Sequence, residues 1–209
     1  MLIAGAKGHA LEILDVLFPQ YAGEEIVFFD NISDTFKIDT INRFCIIRTE
    51  EELEELFKKD NRFVLGIGNP VVRKKMAEYL TSKKGALHSV ISANAIISKH
   101  NVKLGTGLNI MHGVIIQPEV SIGDGTLINA AVLLNHQSTV GASCDICPGA
   151  VITGNVQIGN NTFIGSGAIV LPGIKIGSNV KIGAGAVVIN DVEDGITVVG
   201  NPARKTNKK

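Results

Sequence analysis

One histidine interrupts a long, chemically quiet stretch. In Leu133-Leu134-Asn135-His136-Gln137-Ser138-Thr139 the imidazole of His136 is a group that exchanges a proton near neutral pH, beside the carboxamide of Gln137. A second suggestive run lies near the N-terminus, where Leu2-Ile3-Ala4 gives way to Gly5-Ala6-Lys7-Gly8-His9. Small residues there let backbone N–H groups approach an anion, and a helix opening at that point adds its positive end. Cys144-Asp145-Ile146-Cys147 has the spacing of a redox or metal pair, but Cys45 alone cannot supply the second ligand pair that a zinc site needs, so ordinary reduced thiols and no metal are expected.

The surroundings of His136 define how it is held. Taken every sixth residue from Leu104 through Ile110, Ile116 and Ile122 to Ile182 and Val188, fifteen positions in a row are Leu, Ile or Val. Two residues before these anchors the chain is mostly small or β-branched, as at Val114, Thr126, Ala150, Val156, Thr162 and Ala186. Glycine often follows the anchor, as at Gly123, Gly141, Gly159, Gly165, Gly177 and Gly183. A helix of period 3.6 cannot keep a six-residue stripe on one face, whereas a short strand followed by a tight corner can. The pattern predicts a parallel β-helix of about five coils from about residue 95 to residue 188, with all fifteen anchors pointing inward. His136 falls two places after Leu134, on a corner, so its side chain is expected to leave the core. Cys144 falls on an inward slot and Cys147 on a corner, which points the two thiols apart.

The first part of the chain follows another rule. After the glycine turn, Leu11, Leu14, Leu17 and Phe18 recur at helical spacing; Ile26-Val27-Phe28-Phe29 reads as a strand ending at Asp30-Asn31. Thr49 with Glu52 forms a capping box for a helix through Phe57. Phe63-Val64-Leu65-Gly66-Ile67-Gly68 reads as a third strand, followed by Asn69 as N-cap and Pro70 at the first turn of a helix to about Leu80. Strand, glycine turn and helix open a Rossmann-like α/β unit, and three strand ends place Gly5 to His9, Asp30-Asn31 and Gly68-Asn69 at the edge where such sheets bind nucleotides. The expected domains are residues 1–92 and 93–209.

Composition limits the function classes. Net charge is zero at pH 7, which gives no electrostatic case for nucleic acid or an anionic membrane, and no apolar run approaches a membrane span. MLIAGAKGHA has neither the basic start nor the cleavage site of a secretory signal, so a cytoplasmic protein is expected.

A G-x-x-G-H opening, an uninterrupted hexapeptide-repeat domain containing Asn135-His136, and the closing run Val-Val-Gly-Asn-Pro-Ala-Arg at residues 198–204 together resemble the bacterial sugar acyltransferases of the sialic acid O-acetyltransferase type. Within them the nucleotide-aminosugar N-acetyltransferases are most similar. The resemblance implies a left-handed β-helix, a homotrimer, acetyl-CoA as donor and a nucleotide-sugar acceptor. It implies that His136 is the general base, a role an imidazole suits at pH 7. It also implies that the Gly154 N–H faces the thioester oxygen, that Ser166 and Ala184 lie along the CoA arm, and that Lys7, Gly8, His9, Asp30, Asn31 and Gly68 hold the nucleotide-sugar. Two positions depart from the family pattern: Gln137 stands where an acidic residue usually follows the histidine, and Asp145 stands where relatives carry a second histidine near the acetyl group. The acceptor is left open between an amine on a UDP-, dTDP- or GDP-sugar and a hydroxyl on a sialic-type sugar. Two other classes are weaker. A β-helix carbonic anhydrase would use His100 and His136, thirty-six residues apart, but Gly141 stands where its third histidine belongs. A non-catalytic scaffold would have no need of His136 or of the N-terminal glycine turn.

Overall fold

The computed structural model describes residues 1–20, 23–32 and 40–206. The chain divides into two compact units, Met1–Val90 and Ile91–Lys209. Among the described residues no helix is long and apolar enough to cross a membrane.

The first unit is a parallel sheet of five strands, β1 (Leu2–Ala4), β2 (Val27–Phe29), β3 (Cys45–Ile47), β4 (Arg62–Leu65) and β5 (Ala86–Leu87), in the order β3-β2-β1-β4-β5. Three helices connect them, α1 (Gly8–Leu17), α2 (Glu50–Lys59) and α3 (Pro70–Ser82). β1 and β2 are buried along their whole length, which is why they read as unbroken apolar runs without alternation. The capping box forms as expected: Glu52 N–H donates to Thr49 Oγ1 at 3.2 Å and Thr49 N–H to Glu52 Oε2 at 3.0 Å. Two expectations are corrected. The buried face of α1 is Ala10, Ile13, Leu14, Val16 and Leu17, while Phe18 is the exposed C-cap. The third strand in chain order is Cys45–Ile47, an edge strand whose outer residues are partly exposed and whose three positions are too few to show a period.

The second unit is a left-handed parallel β-helix. Ile116 pairs with Leu134 and Leu134 with Ile152, so a full coil takes 18 residues and three two-residue strands. The strands stack into three sheets, here called faces. Face 1 holds the strands ending at Ile97, Ile116, Leu134, Ile152, Val170 and Val188. Face 2 holds those ending at Leu104, Ile122, Val140, Ile158 and Ile176, and face 3 those from Ile91 through Ile146 and Ile164 to Ile182, closed by Thr197–Val199 and the antiparallel Arg204–Lys205.

Fourteen of the fifteen hexad anchors are buried; Leu104 is the exception at 36% exposed. Its strand is the terminal one of face 2, paired on one side only, so no neighbouring coil covers it. The β-helix also begins earlier than the hexad count does. Seven residues separate the inward positions Ile97 and Leu104 where six separate each hexad anchor from the next, and this change of register hides the strand at Val90–Ile91. At the other end Ile176 pairs with Val192 and Ile182 with Val198, a coil of 16 residues instead of 18.

Close stacking dictates the corner residues. A Cβ at Gly141 would lie 2.7 Å from the backbone nitrogen of Asn160 in the next coil, so only glycine fits. Polar groups buried at the corners are satisfied by the neighbouring coil: Thr162 Oγ1 donates to the Gly177 carbonyl at 2.8 Å and accepts from Val180 N–H at 3.2 Å. Thr162→Val keeps the shape and removes both bonds. It is expected to cost about 1–3 kcal/mol in urea unfolding, since two buried backbone groups lose their partner.

Candidate active site

Two separate sets of residues carry chemistry, one in each unit. In the first unit a cleft of about 440 Å³ opens at the C-terminal ends of β1, β2 and β4. Its wall comprises Gly5, Ala6, Lys7 and His9 after β1, Asp30, Asn31 and Ile32 after β2, and the run from Gly66 to Asn69 after β4. The chain reverses its direction of sheet growth between β1 and β4, the switch point at which open α/β sheets bind ligands. Helix α1 begins after its N-cap Lys7, which makes no side-chain capping hydrogen bond, and its first turn carries no acidic residue. His9 Nδ1 is 2.7 Å from Glu12 Oε2. Asp30 is buried, and its Oδ1 accepts from Ile32 N–H at 3.0 Å, which fixes the carboxylate at the cleft wall. The structure thus brings Lys7, His9, Asp30, Asn31 and Gly68 together, with Gly8 beginning the helix behind them.

The glycines of this cleft separate into two kinds. A Cβ on Gly66 would lie 2.9 Å from Cα and Cβ of Ala10, and Gly5 has a left-handed φ of +100° with Ile67 Cγ1 2.9 Å from its virtual Cβ. Those two are required by packing. A Cβ on Gly8 or Gly68 would meet no atom within 4 Å, and neither has a left-handed φ. Nothing within the chain demands glycine there, as suits close approach by a ligand.

In the β-helix, His136, Gln137 and Gly154 share the corner between faces 1 and 2. The imidazole is exposed, while its backbone is locked: its carbonyl accepts from Asn155 N–H at 3.0 Å, and Gln137 N–H donates to the Pro118 carbonyl at 3.1 Å. Gln137 adopts a left-handed φ of 60°, unusual for a side chain of its size, and this conformation sets its Oε1 3.4 Å from His136 Nδ1. When Nδ1 carries the proton it donates, weakly at that distance, to the amide oxygen, and Nε2 presents a lone pair outward. The ring lies over Gly154: a Cβ there would be 2.5 Å from His136 Cε1 and 2.7 Å from Nε2. The Gly154 N–H donates to no acceptor among the described residues. A base nitrogen and a free N–H donor therefore sit on one corner.

The other expected residues are elsewhere in this unit. Asp145 projects from face 3 and is buried, with Cys147 Sγ 3.9 Å from its Oδ1. Burial, with the Asp145 charge in second place, pushes the Cys147 thiol up to about 12, so it is a poor nucleophile; Cys144 is buried and separate. Ser166 and Ala184 are exposed on the corner between faces 3 and 1, stacked so that Gly185 N–H donates to the Ser166 carbonyl at 2.9 Å. A single chain thus does not join Asp145, Ser166 and Ala184 to His136. Among the described residues no three His, Cys, Asp or Glu side chains converge as a metal site.

One feature of the β-helix is not contained in the hexad pattern. The outward residues of face 1 are Ile96, Ile115, Leu133, Val151, Ile169 and Val187, an unbroken aliphatic column, with Ile96 65% and Ile169 36% exposed. The same column on face 2 is Lys103, Ser121, Thr139, Gln157 and Lys175. From Ile115 onward its signal in the sequence has a period of 18, visible only once the hexads are grouped in threes.

Residues 1–80 match the PglD N-terminal domain and residues 155–190 the bacterial transferase hexapeptide family of six repeats. The acetyltransferase domain of PglB from Neisseria gonorrhoeae FA1090 is 30% identical over 98% of each chain, with a TM-score of 0.87, and 0.88 for its complex with acetyl coenzyme A. PerB from Caulobacter crescentus, solved with CoA and GDP-perosamine, is 29% identical over 99% of this chain and 96% of its own, with a TM-score of 0.85. WeeI from Acinetobacter baumannii AYE is 25% identical over 98% of each chain, with a TM-score of 0.82. No curated protein matches.

The two kinds of glycine differ in what a methyl group does to stability. Gly8→Ala and Gly68→Ala should unfold at or above the wild-type urea midpoint. Gly66→Ala should lose about 1–3 kcal/mol, because its methyl group overpacks against Ala10.

Proposed function

The chain belongs to the bacterial sugar acyltransferases of the sialic acid O-acetyltransferase type, and from that membership we propose how its two sites divide one reaction. It is an acetyl-CoA-dependent sugar acetyltransferase acting on the amino group of a nucleotide-linked amino sugar. The N-terminal cleft holds the nucleotide part of the acceptor: N–H groups at the start of α1 and Lys7 face the phosphates, and Asp30 accepts from a ribose hydroxyl.

The observation that carries the mechanism is the imidazole of His136 resting on Gly154 with Nδ1 turned to Gln137. Nε2 takes a proton from the acceptor amine as nitrogen attacks the thioester carbonyl. Negative charge gathers on the carbonyl oxygen, where the Gly154 N–H stabilises it. The tetrahedral intermediate collapses, the C–S bond breaks, and the proton on Nε2 passes to the CoA sulfur. The products are the acetamido sugar and free CoA.

The apolar column of face 1 supports a homotrimer. Both corners that carry candidate site residues border this face, His136 and Gly154 on one side and Ser166 and Ala184 on the other. Three chains turning face 1 toward a common axis bury the column and set one chain's His136 corner beside the next chain's Ser166 corner. That is a heterologous contact closed by three-fold rotation. The CoA arm then lies between chains, and each chain supplies half of every donor site.

Two sets of experiments test these readings. With acetyl-CoA and a panel of UDP-, dTDP- and GDP-linked amino sugars, His136→Ala is expected to lower kcat by about 10²- to 10⁴-fold and Gly154→Ala by at least about 10²-fold, with CoA affinity near wild type. Gln137→Glu should move the acidic limb of kcat/KM to higher pH, since a carboxylate beside the ring favours its protonated form. Near-full turnover in His136→Ala would remove the imidazole from the mechanism. For the assembly, Leu133→Glu with Val151→Glu should give a folded monomer by light scattering with turnover lost; a fully active monomer would overturn the shared site.

A further inference from the structure

Arg73, one turn into α3, is a buried cation, 2% exposed. Burying a guanidinium is costly unless it is hydrogen-bonded. Its Nη1 donates to the Gly68 carbonyl at 2.8 Å and, more weakly, to the Ile67 carbonyl at 3.4 Å. Both carbonyls belong to the turn after β4, and Ile67, Gly68 and Asn69 line the acceptor cleft while Arg73 does not.

The orientation has a consequence for the other side of those peptides. In a trans peptide the N–H points opposite to its C=O. With the Ile67 and Gly68 carbonyls turned back to Arg73, the N–H groups of Gly68 and Asn69 point away from it, to the cleft side of the turn. Among the described residues neither N–H has an acceptor. The side chain of Asn69 meanwhile caps α3 by accepting from Val71 and Val72 N–H at 3.0 and 3.1 Å, so the first donors of that helix are already satisfied. Two successive backbone donors with a fixed cation behind them form an anion-binding concavity. It lies across the cleft from the start of α1, and a Cβ at Gly68 would meet nothing within 4 Å. A nucleoside diphosphate has two phosphates to place between two such edges.

We propose that Arg73 is a positioning residue for the acceptor diphosphate: it holds the turn after β4 so that the Gly68 and Asn69 N–H groups grip one phosphate while the start of α1 grips the other. This rests on the reading of the cleft as the nucleotide-sugar site. Arg73 touches no substrate atom and takes no part in the proton transfer.

The test is calorimetric titration of the full chain with UDP, GDP and dTDP and with the corresponding monophosphates. Wild type is expected to prefer one diphosphate over its monophosphate. Arg73→Met should weaken diphosphate binding by about tenfold or more and monophosphate binding by less than about threefold, as the loss of one oriented donor pair implies. In turnover, KM for the nucleotide amino sugar should rise while kcat and KM for acetyl-CoA hold. Arg73→Lys, which keeps the charge without the planar guanidinium, should fall between the two, and it carries the test if Arg73→Met does not fold. Unchanged diphosphate preference in the variants would overturn the role of Arg73, as would an equal loss for mono- and diphosphates. A wild-type chain that binds none of the diphosphates would instead overturn the acceptor cleft itself.

Discussion

The β-helix depends on one repeated interaction, the backbone hydrogen bond from each strand and corner to the same place one coil away. Asn155 N–H to the His136 carbonyl at 3.0 Å and Gly173 N–H to the Gly154 carbonyl at 3.0 Å belong to the same ladder that holds Ile116 against Leu134. Parallel strands spaced by about 4.8 Å leave little depth at a corner for a side chain between coils. The ladder therefore fixes the vertical distance from His136 to Gly154 before any question of catalysis arises, and an imidazole at that corner has a backbone amide directly beneath it. The pairing of an imidazole with a backbone N–H is a by-product of the repeat.

The N-terminal unit solves a different problem with an open parallel sheet. Its strands end in turns whose residues either support the sheet or face the cleft, and the glycines show the division. Gly5 and Gly66 are held by packing against Ile67 and Ala10, while Gly8 and Gly68 have free space where a Cβ would stand. Asn69 shows the same economy: its side chain caps α3 and its main chain lines the cleft. The cleft surface is thus mostly main chain, and under the proposed function its preference for phosphate comes from which way the peptide planes face.

How far the sequence discloses this arrangement depends on whether a feature repeats. The aliphatic anchors recur every six residues, so the β-helix and the corner position of His136 were both legible, as were the capping box at Thr49 and the Asn69-Pro70 helix start. The slip of one residue between Ile97 and Leu104 broke the count and concealed the strand at Val90–Ile91. The edge strand Cys45–Ile47 was not legible because its three residues face a partly open edge. The aliphatic column of face 1 was present but interleaved with two other faces. Arg73 carried no signal at all, since a lone arginine on a helix is ordinarily solvent-exposed, and only tertiary contact with the Ile67 and Gly68 carbonyls distinguishes it.

Gln137 bears on the choice of nucleophile. A carboxylate beside a catalytic imidazole stabilises the protonated ring and so strengthens the base; a carboxamide can orient Nδ1–H but adds no charge. A sugar hydroxyl is a poor nucleophile that must begin to lose its proton as it attacks, which needs the stronger base. A neutral amine attacks with its own lone pair, and the nitrogen becomes acidic only once the C–N bond forms, so the base has merely to collect a proton that is already leaving. His136 with Gln137 at 3.4 Å is suited to the second task. The departure at residue 137 is therefore compatible with a retained activity, and it favours an amino sugar over a hydroxyl acceptor on chemical grounds independent of the resemblance to PerB and the PglB domain.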